Sequence, residues 1–211
     1  MGREFVEIFD EWVHSYDESV SGKDPEYRDV FTKYDEILLA VAKKSFGTVV
    51  EFGTGTGNLT AKLIAAGYSV IGIEPNAAMR TVTAKRFPEL TIVDGDLLVF
   101  EAPQKVDTFV STYVFHHLKD PDKEKALSLY ASLLPIGGKI VFADTVFTSE
   151  EAKQAQISKE RARGFNNVAD DLEREYYTTI PILTETFEKA GFTVQFEQMN
   201  DFVWLMDAIK K

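Results

Sequence analysis

The 211-residue sequence contains no cysteine and only three histidines. Without cysteine there is no thiol catalysis, no thiolate metal ligand and no disulfide, and three histidines are little material for a metal centre, so we predict no metal site. No segment approaches the roughly 20 consecutive apolar residues of a membrane-spanning helix, which argues against a membrane partner. The first five residues lack the basic segment and apolar core of a signal peptide, which predicts a cytoplasmic protein.

Basic residues are also scarce, because 23 Lys and Arg face 34 Asp and Glu and the net charge is −11. A surface of this sign repels a phosphate backbone, and the short basic segments at 43–44 and 161–163 resemble solvated helix faces, so we predict no nucleic-acid partner. Length and composition fit one globular domain. Within the single domain 1–211 we expect four parts: a helical cap (1–45), a ligand-binding core (46–145), a cover segment (146–180) and a closing helix and hairpin (181–211).

The core segment alternates apolar, strand-like runs with helical patterns, which is typical of a parallel sheet covered by helices. The predicted strands span 48–52, 68–73, 91–93, 106–111 and 139–143. The predicted helices span 58–66, 77–86 and 122–134. Right-handed crossovers make this a doubly wound, Rossmann-like α/β layer.

Helical patterns flank the core on both sides. The amphipathic stretches 4–13 and about 24–44, joined by a turn-prone segment at 21–25, predict an N-terminal helical cap. The polar segment 150–175 has a helical pattern interrupted at Gly164, and we expect it to cover the sheet edge as a candidate lid.

The chain closes with a helix over 182–190, a stop at Gly191 and two strand-like runs over 192–198 and 202–209. The connection 199–201 is too short for a parallel crossover, so these runs predict an antiparallel hairpin. The fold class is therefore α/β, with a mostly parallel sheet that ends in an antiparallel hairpin.

A glycine-rich turn follows the first strand, with the sequence Gly53-Thr54-Gly55-Thr56-Gly57-Asn58. Such glycines let the backbone turn sharply and approach a ligand, while the next helix offers free N–H donors. A dinucleotide fingerprint requires glycine at the first, third and sixth positions, but the sixth is Asn58. Glu51 is also unlike the apolar strand end of a dehydrogenase. The pattern indicates a nucleoside-like ligand other than a dinucleotide.

The second strand ends at Glu74, about 20 residues after the glycine turn, where a carboxylate can accept from both hydroxyls of a ribose. The alternative is a solvated acid that caps the following helix, although Asn76 is also available as the cap.

Further motifs complete a resemblance that covers residues 9–209. The segment from Glu51 to Gly57 resembles the first motif of class I S-adenosylmethionine (SAM)-dependent methyltransferases. The other matching elements are Val93-Asp94-Gly95-Asp96-Leu97 (G-D-x), Ser111 to Leu118 (S-x-x-x-x-H-H-L), Leu134 to Lys139 (L-x-x-G-G) and Trp12 to Asp17 (W-x-x-x-Y-D). The starting residues 1–5 and the segment 200–204 further resemble uncharacterised small-molecule methyltransferases of Bacillus and its relatives.

The resemblance implies a set of SAM contacts. Asp96 would accept from the adenine amino group, the Leu97 backbone would read the ring edge, and Met79 would pack on the adenine face unless it is a core methionine. Tyr16 would lie over the methionyl carboxylate and acceptor pocket, or it packs within its helix. Glu51 would favour the ammonium of SAM or orient the loop N–H groups. The predicted cofactor residues are Tyr16, Glu51, Gly53, Thr54, Gly55, Glu74, Met79, Asp96, Leu97 and Ser111.

His116 and His117 follow the fourth strand at its carboxyl end, the side where ligands bind in such sheets. Imidazole titrates near neutral pH, so one of them is a candidate general base. The alternative is a structural histidine, and an already ionised acceptor such as a thiolate needs no base.

The resemblance therefore implies in-line transfer of a methyl group from SAM to a small-molecule acceptor, with S-adenosylhomocysteine (SAH) as product. One alternative is a non-catalytic module that binds SAM or SAH. Another is an NAD-dependent oxidoreductase, which Asn58 and the C-terminal hairpin disfavour. The sequence leaves open the acceptor, its nucleophilic atom and the oligomeric state.

Overall fold

The computed structural model describes residues 16–211, so the predicted helix over 4–13 and Trp12 lie outside the described residues. A seven-stranded sheet runs through the centre of the fold. Its strands are β1 (Thr48–Phe52), β2 (Ser69–Ile73), β3 (Thr91–Val93), β4 (Thr108–Thr112), β5 (Lys139–Thr145), β6 (Phe192–Gln198) and β7 (Val203–Lys210). Their spatial order is β3-β2-β1-β4-β5-β7-β6, with β1 to β5 parallel and β7 antiparallel to both of its neighbours. This order confirms the predicted fold class, including the closing hairpin.

Eight α-helices and one 3₁₀ turn surround the sheet within residues 16–211. They are α1 (Tyr16–Val20), α2 (Tyr34–Lys44), α3 (Asn58–Ala65), α4 (Ala77–Arg86), the 3₁₀ turn (Phe115–His117), α5 (Asp120–Leu133), α6 (Glu150–Arg163), α7 (Asn166–Arg174) and α8 (Ile180–Lys189). The polar segment is split at Gly164, which has a φ of 80° and ends α6 as predicted. No helix of this described part is long and apolar enough to cross a membrane.

The largest error of the sequence analysis lies in the predicted helix over 24–44. Residues 26–33 form turns, and the helix begins only at Tyr34. Lys33 before it has a φ of 61°, in the left-handed region, so a right-handed helix does not continue through this residue. The amphipathic spacing was therefore a valid signal for 34–44 and misleading for the ten residues before it.

Smaller errors concern where strands begin and end. β4 begins at Thr108 rather than 106, because Asp107 bonds with Thr48 through both its backbone and its carboxylate before the ladder starts. β5 continues to Thr145, two residues beyond the prediction, because pairing with β7 extends it to the Thr145–Val203 pair. Helices α5 and α8 each begin two residues early, with a proline in the first turn.

Two apolar cores cover the two faces of the sheet. On one face, the rings of Phe52, Phe109 and Tyr130 lie within 5.5 Å of each other, centroid to centroid, and are essentially inaccessible. On the other face, Ile37 and Leu38 of α2 are buried. Each such side chain stabilises the fold by roughly 1.5–3 kcal/mol. This packing fixes the carboxyl ends of β1, β2, β4 and β5 along one edge of the sheet.

Candidate functional site

A cavity opens at the carboxyl edge of the parallel strands. Its walls come from the glycine turn, α4, the end of β4, the 3₁₀ turn, the turns before α2, and α7. Seven predicted residues line it: Tyr16, Gly53, Gly55, Glu74, Met79, His116 and His117. The other five are buried beside it along the same edge: Glu51, Thr54, Asp96, Leu97 and Ser111. The structure thus brings the glycine turn and the histidine pair into one continuous space.

The glycine turn has backbone angles and close contacts that a residue with a side chain would disturb. Gly53 has a φ of 68°, and a Cβ on it would lie 2.5 Å from Cγ2 of Val114. Its N–H donates to the carbonyl of Ile73 at 2.8 Å, which joins the loop to the end of β2. Gly55 has a φ of 54°, and a Cβ there would meet no protein atom within 4 Å. Open space beside a glycine at the cavity wall fits the close approach of a ligand.

Glu74 lies at the end of β2 with only 4% of its surface exposed. Its Oε2 accepts from the N–H of Gly55 and its Oε1 from the N–H of Asn76, both at 2.9 Å. Asn76 caps α4 by accepting from the N–H of Met79, so Glu74 is neither solvated nor needed as the cap. Burial raises the pKa of Glu74 against the lowering effect of these N–H groups. A carboxylate oxygen accepts two hydrogen bonds, so both oxygens retain capacity for ribose hydroxyls, and the residue fits SAM.

Glu51 is buried on β1, with 1% exposure. Its Oε2 accepts from Oγ1 of Thr60 on α3 at 2.6 Å. Burial, aided by the nearby charge of Glu74, raises the pKa of Glu51 to about 8, although the hydrogen bond from Thr60 opposes this. The contact of Glu51 is with α3 rather than with a loop N–H group, so a role in favouring the ammonium of SAM and a role in orienting the loop N–H groups both stay predictions.

Three further predicted residues, Asp96, Leu97 and Ser111, belong to a rim beside the cavity. Asp96 accepts through Oδ1 from the backbone N–H groups two and three residues later, which closes the turn after β3. The carbonyl of Leu97 accepts from the hydroxyl of Tyr130 at 2.6 Å. Ser111 donates to the carbonyl of Phe52 at 3.2 Å, across β4 and β1. These contacts hold the rim in place, and the adenine contacts assigned to Asp96 and Leu97 stay predictions.

His116 lies between two carboxylates. Its Nδ1 is 2.6 Å from Oδ1 of Asp144, and its backbone N–H donates to Oδ2 of the same residue at 3.0 Å. Its Nε2 is 3.2 Å from Oε2 of Glu175, which also accepts from the hydroxyl of Tyr177 at 2.7 Å. The Tyr177 ring stacks on the imidazole with a centroid distance of 4.7 Å. His116 is therefore fixed on three sides.

The two histidines carry different charges at neutral pH. Burial alone lowers the pKa of His116, but Asp144 and Glu175 outweigh it and raise the pKa to about 10. Burial opposes ionisation of Glu175 as well, yet His116 brings the pKa of that carboxyl down to about 2. Burial, followed by the charge of His116, holds the pKa of His117 well below its usual range. His116 is an imidazolium and His117 a neutral imidazole.

His116, His117 and Glu175 also have potential ligand atoms within 4.8 Å of one another. Both ring nitrogens of His116 lie within hydrogen-bonding distance of carboxylates, so a metal ion would have to displace the proton shared with Glu175. Ion pairing accounts for the positions of His116 and Glu175 as they stand.

One side of the cavity is bounded by contacts between the turns before α2 and the helices of the cover segment. The hydroxyl of Tyr27 donates to Asp171 at 2.5 Å, and Arg163 pairs with Asp29 at 2.7 Å. Glu26 accepts from the N–H of Asn167 in the first turn of α7. These contacts join α6 and α7 to the turns before α2 at the edge of the cavity.

Sequence reasoning missed several residues of the cavity and its network: Tyr27, Asp144, Asp171, Glu175 and Tyr177. Asp144 had a usable signal, because it follows the apolar run of the fifth strand at its carboxyl end. The others lie in segments whose position depends on packing between helices, and no local pattern in the sequence marks them.

Comparisons with known proteins agree with this site. A sequence model described as a methyltransferase domain matches residues 27–196. An uncharacterized methyltransferase of Bacillus cytotoxicus is 52% identical over 212 residues, covering 100% of both chains. Another, from Anoxybacillus flavithermus, is 55% identical with the same coverage. Relatives of this kind share family and length with the chain.

Solved structures show the same fold at low sequence identity. A SAM-dependent methyltransferase of Thermotoga maritima, described as a possible histamine N-methyltransferase, matches with a TM-score of 0.69 and 19% identity over 98% of this chain and 99% of that one. The magnesium protoporphyrin IX methyltransferase of Synechocystis, crystallised with bound SAH, matches with a TM-score of 0.67 and 16% identity over 87% and 86%. With its glycine turn, Glu74 and sheet order, this chain belongs to the class I SAM-dependent methyltransferase family and uses SAM as its cofactor.

Proposed function

We propose that this enzyme transfers the methyl group of SAM in line to a small molecule that binds at the histidine end of the cavity. One observation carries the proposal: a single cavity reaches from Gly53 and Glu74 at one end to His116 and His117 at the other. A cofactor held at the first end would present its methyl group toward an acceptor at the second.

The walls at the histidine end suit a small organic acceptor. They include Phe31, which offers an apolar ring, and Tyr27, Tyr113 and Tyr177, whose rings also carry a polar hydroxyl. The cover segment closes over this end through the Tyr27–Asp171 hydrogen bond. A covered, aromatic compartment suits a small molecule, and the negative net charge disfavours a phosphate backbone.

SAM supplies a methyl group on a positively charged sulfur when it is bound. The chain's own contribution is to align the acceptor with that group and exclude water, which can account for about 7–11 kcal/mol of the barrier. Glu74, the glycine turn and Met79 would fix the nucleoside end, and Tyr16 at the cavity wall would fix the methionyl end. Few residues of the chain need to react chemically.

We assign the role of general base to His117 rather than His116, for acceptors whose nucleophile carries a proton. A base must be unprotonated at the working pH, and His117 is neutral because burial and the neighbouring charge lower its pKa. His116 keeps its proton between Asp144 and Glu175, and its role in this proposal is to hold the geometry and the charge of the pair.

Calorimetric titration with SAM, SAH and NAD tests the cofactor end. We expect micromolar binding of SAM and SAH and none of NAD. Replacing Glu74 by Ala removes acceptors for the ribose and should weaken binding at least about tenfold, since hydrogen bonds to charged groups contribute about 1.5–3 kcal/mol each. Glu89→Ala, at an exposed carboxylate between α4 and β3, is the matched control and should bind normally. Binding of NAD, or unchanged affinity in Glu74→Ala, would contradict the proposal.

Product formation tests the transfer itself. A panel of small thiols, phenols and amines is incubated with the enzyme and SAM, and SAH is measured. Acceptor-dependent SAH formation that falls in His117→Gln supports the assignment of the base. Binding of SAM without product from any acceptor class would favour the non-catalytic binding module instead.

A further inference from the structure

A buried lysine lies beneath the histidine pair. Lys123 of α5 is 2% exposed, although lysine is among the residues least often buried. Its Nζ donates to the carbonyl of Leu118 at 2.6 Å, to the carbonyl of Tyr176 at 2.7 Å and to Oδ1 of Asp120 at 3.0 Å. An ammonium has three donors, so all three are used.

The two carbonyls belong to the two segments that build the histidine site. Leu118 directly follows the 3₁₀ turn that carries His116 and His117. Tyr176 lies between Glu175 and Tyr177, the two residues that contact the imidazole of His116 from the cover side. The segments also meet directly, because the N–H of Tyr176 donates to the carbonyl of His116 at 3.1 Å. Lys123 closes this junction from below.

A buried ammonium is costly unless its donors are satisfied, and burial does lower the pKa of Lys123, opposed by Asp120. Other inward positions of α5 carry ordinary apolar residues such as Ala126 and Leu127. An apolar side chain at 123 would therefore pack well but would remove the ammonium from which the carbonyls of Leu118 and Tyr176 accept. A lysine at this position is therefore explained by its bonds to the two carbonyls and not by packing in the apolar core.

We propose that Lys123 is the positioning residue of the histidine site: its ammonium ties segment 175–178 to the 3₁₀ turn, so that Glu175 and Tyr177 keep their contacts with His116. Its importance for catalysis rests on the proposed function. The effect of Lys123 on the geometry around His116 does not depend on the proposed function, and it can be measured without knowing the methyl acceptor.

Nuclear magnetic resonance of the histidine ring nitrogens measures this geometry. The charged and titratable groups around His116 include Asp144 from β5, Asp171 from α7, Glu175 and Tyr177 from the segment after α7, and His117 from its own turn. In Lys123→Met we expect the pKa of His116 to fall by at least about one pH unit, because Glu175 moves away while Asp144 stays. Lys125→Met, at an exposed lysine of the same helix, is the control and should leave it unchanged.

The absence of cysteine permits a chemical rescue. Lys123→Cys can be alkylated in denaturant with bromoethylamine and refolded, which restores an ammonium on a side chain of lysine length. The aminoethylated protein should regain the wild-type titration of His116, whereas the same variant alkylated with iodoacetamide should not. If only the restored ammonium returns the pKa of His116 to its wild-type value, the effect comes from the hydrogen bonds of Lys123 and not from packing of its side chain.

An unchanged pKa of His116 in a folded Lys123→Met protein would overturn the proposal, and so would failure of the aminoethylated protein to recover it. If Lys123→Met does not fold, Asp120→Ala removes one partner of the ammonium at a partly exposed position. Thr178→Val is its control, because the Thr178 hydroxyl also donates to Asp120. A smaller fall in the same direction is then expected in Asp120→Ala, and no fall overturns the proposal. The variants should bind SAH with an affinity within about twofold of wild type, measured on the same samples. If the wild-type protein itself does not bind SAH, that result counts against the proposed function and not against the positioning role of Lys123.

Discussion

Replacing Glu51 by Gln should change how the stability of the ligand-free protein depends on pH. Glu51 is buried on β1 and bonded to Thr60, and its pKa rises from an ordinary value of 4.5 to about 8 in the fold. Glutamine has nearly the same shape and still offers an oxygen to the Thr60 hydroxyl, but it does not titrate. The substitution therefore removes the ionisation and keeps the contact.

The sign follows from proton linkage. Below about pH 4.5 the carboxyl is protonated in both the folded and unfolded chain, and its contribution to stability is complete. Between 4.5 and about 8 only the unfolded chain ionises, so the free energy of unfolding falls as pH rises. At about 1.36 kcal/mol for each pH unit, the wild type should lose on the order of 5 kcal/mol across this interval relative to Glu51→Gln.

Urea unfolding followed by tryptophan fluorescence, at several pH values from 4.5 to 8, measures the difference. We expect the free energy of unfolding of Glu51→Gln to rise steadily relative to that of the wild type as pH increases, and the variant to be the more stable protein at pH 8. Glu36→Gln, at an exposed carboxylate of α2, is the matched control. Parallel stability curves for wild type and Glu51→Gln would refute the reasoning, because they would mean that Glu51 is ionised in the fold.

Two further substitutions test the turn and the network. Gly53→Ala should lower the free energy of unfolding by about 2–4 kcal/mol, since it adds a left-handed alanine and a contact of 2.5 Å to Val114. Urea unfolding checks this against Gly55→Ala, which adds the strain without the contact; equal losses would contradict it. Asp144→Asn should lower the pKa of His116 by about 1–3 pH units. The substitution removes the carboxylate that raises this pKa more than Glu175 does. Ring-nitrogen titration checks this, and an unaltered His116 would mean that Asp144 does not hold its proton.

The sheet and the cofactor end were accessible from sequence because their signals are local. Alternating strand and helix patterns, the five-residue glycine pattern from Gly53 and the carboxylate at Glu74 all lie within short stretches of chain. The short 199–201 connection was enough to predict the antiparallel hairpin. Each of these features follows from backbone geometry that a few neighbouring residues determine.

The acceptor end was not accessible because its parts come from distant segments. Asp144 and Glu175 are 31 positions apart and meet only across the ring of His116. Residues 26–33 have a helical sequence pattern but form turns. In this conformation they make contacts with the cover segment, such as the hydrogen bond of Tyr27 with Asp171. Tertiary contacts outweigh propensity there. The different protonation states of the two histidines likewise depend on partners that no spacing rule supplies.

The hairpin has a consequence for how the chain reaches its native state. β7 lies between β5 and β6, so β6, although made first, has no place in the sheet until β7 forms. Pairing within the hairpin joins residues as close as Gln198 and Trp204, whereas β5 must find residues about 70 positions away, such as Ile209 for Lys139. The hairpin should therefore zip up first and dock late. Until it docks, the backbone groups along one side of β5 are unpaired, and this interval is when the chain is most open to pairing with another copy of itself.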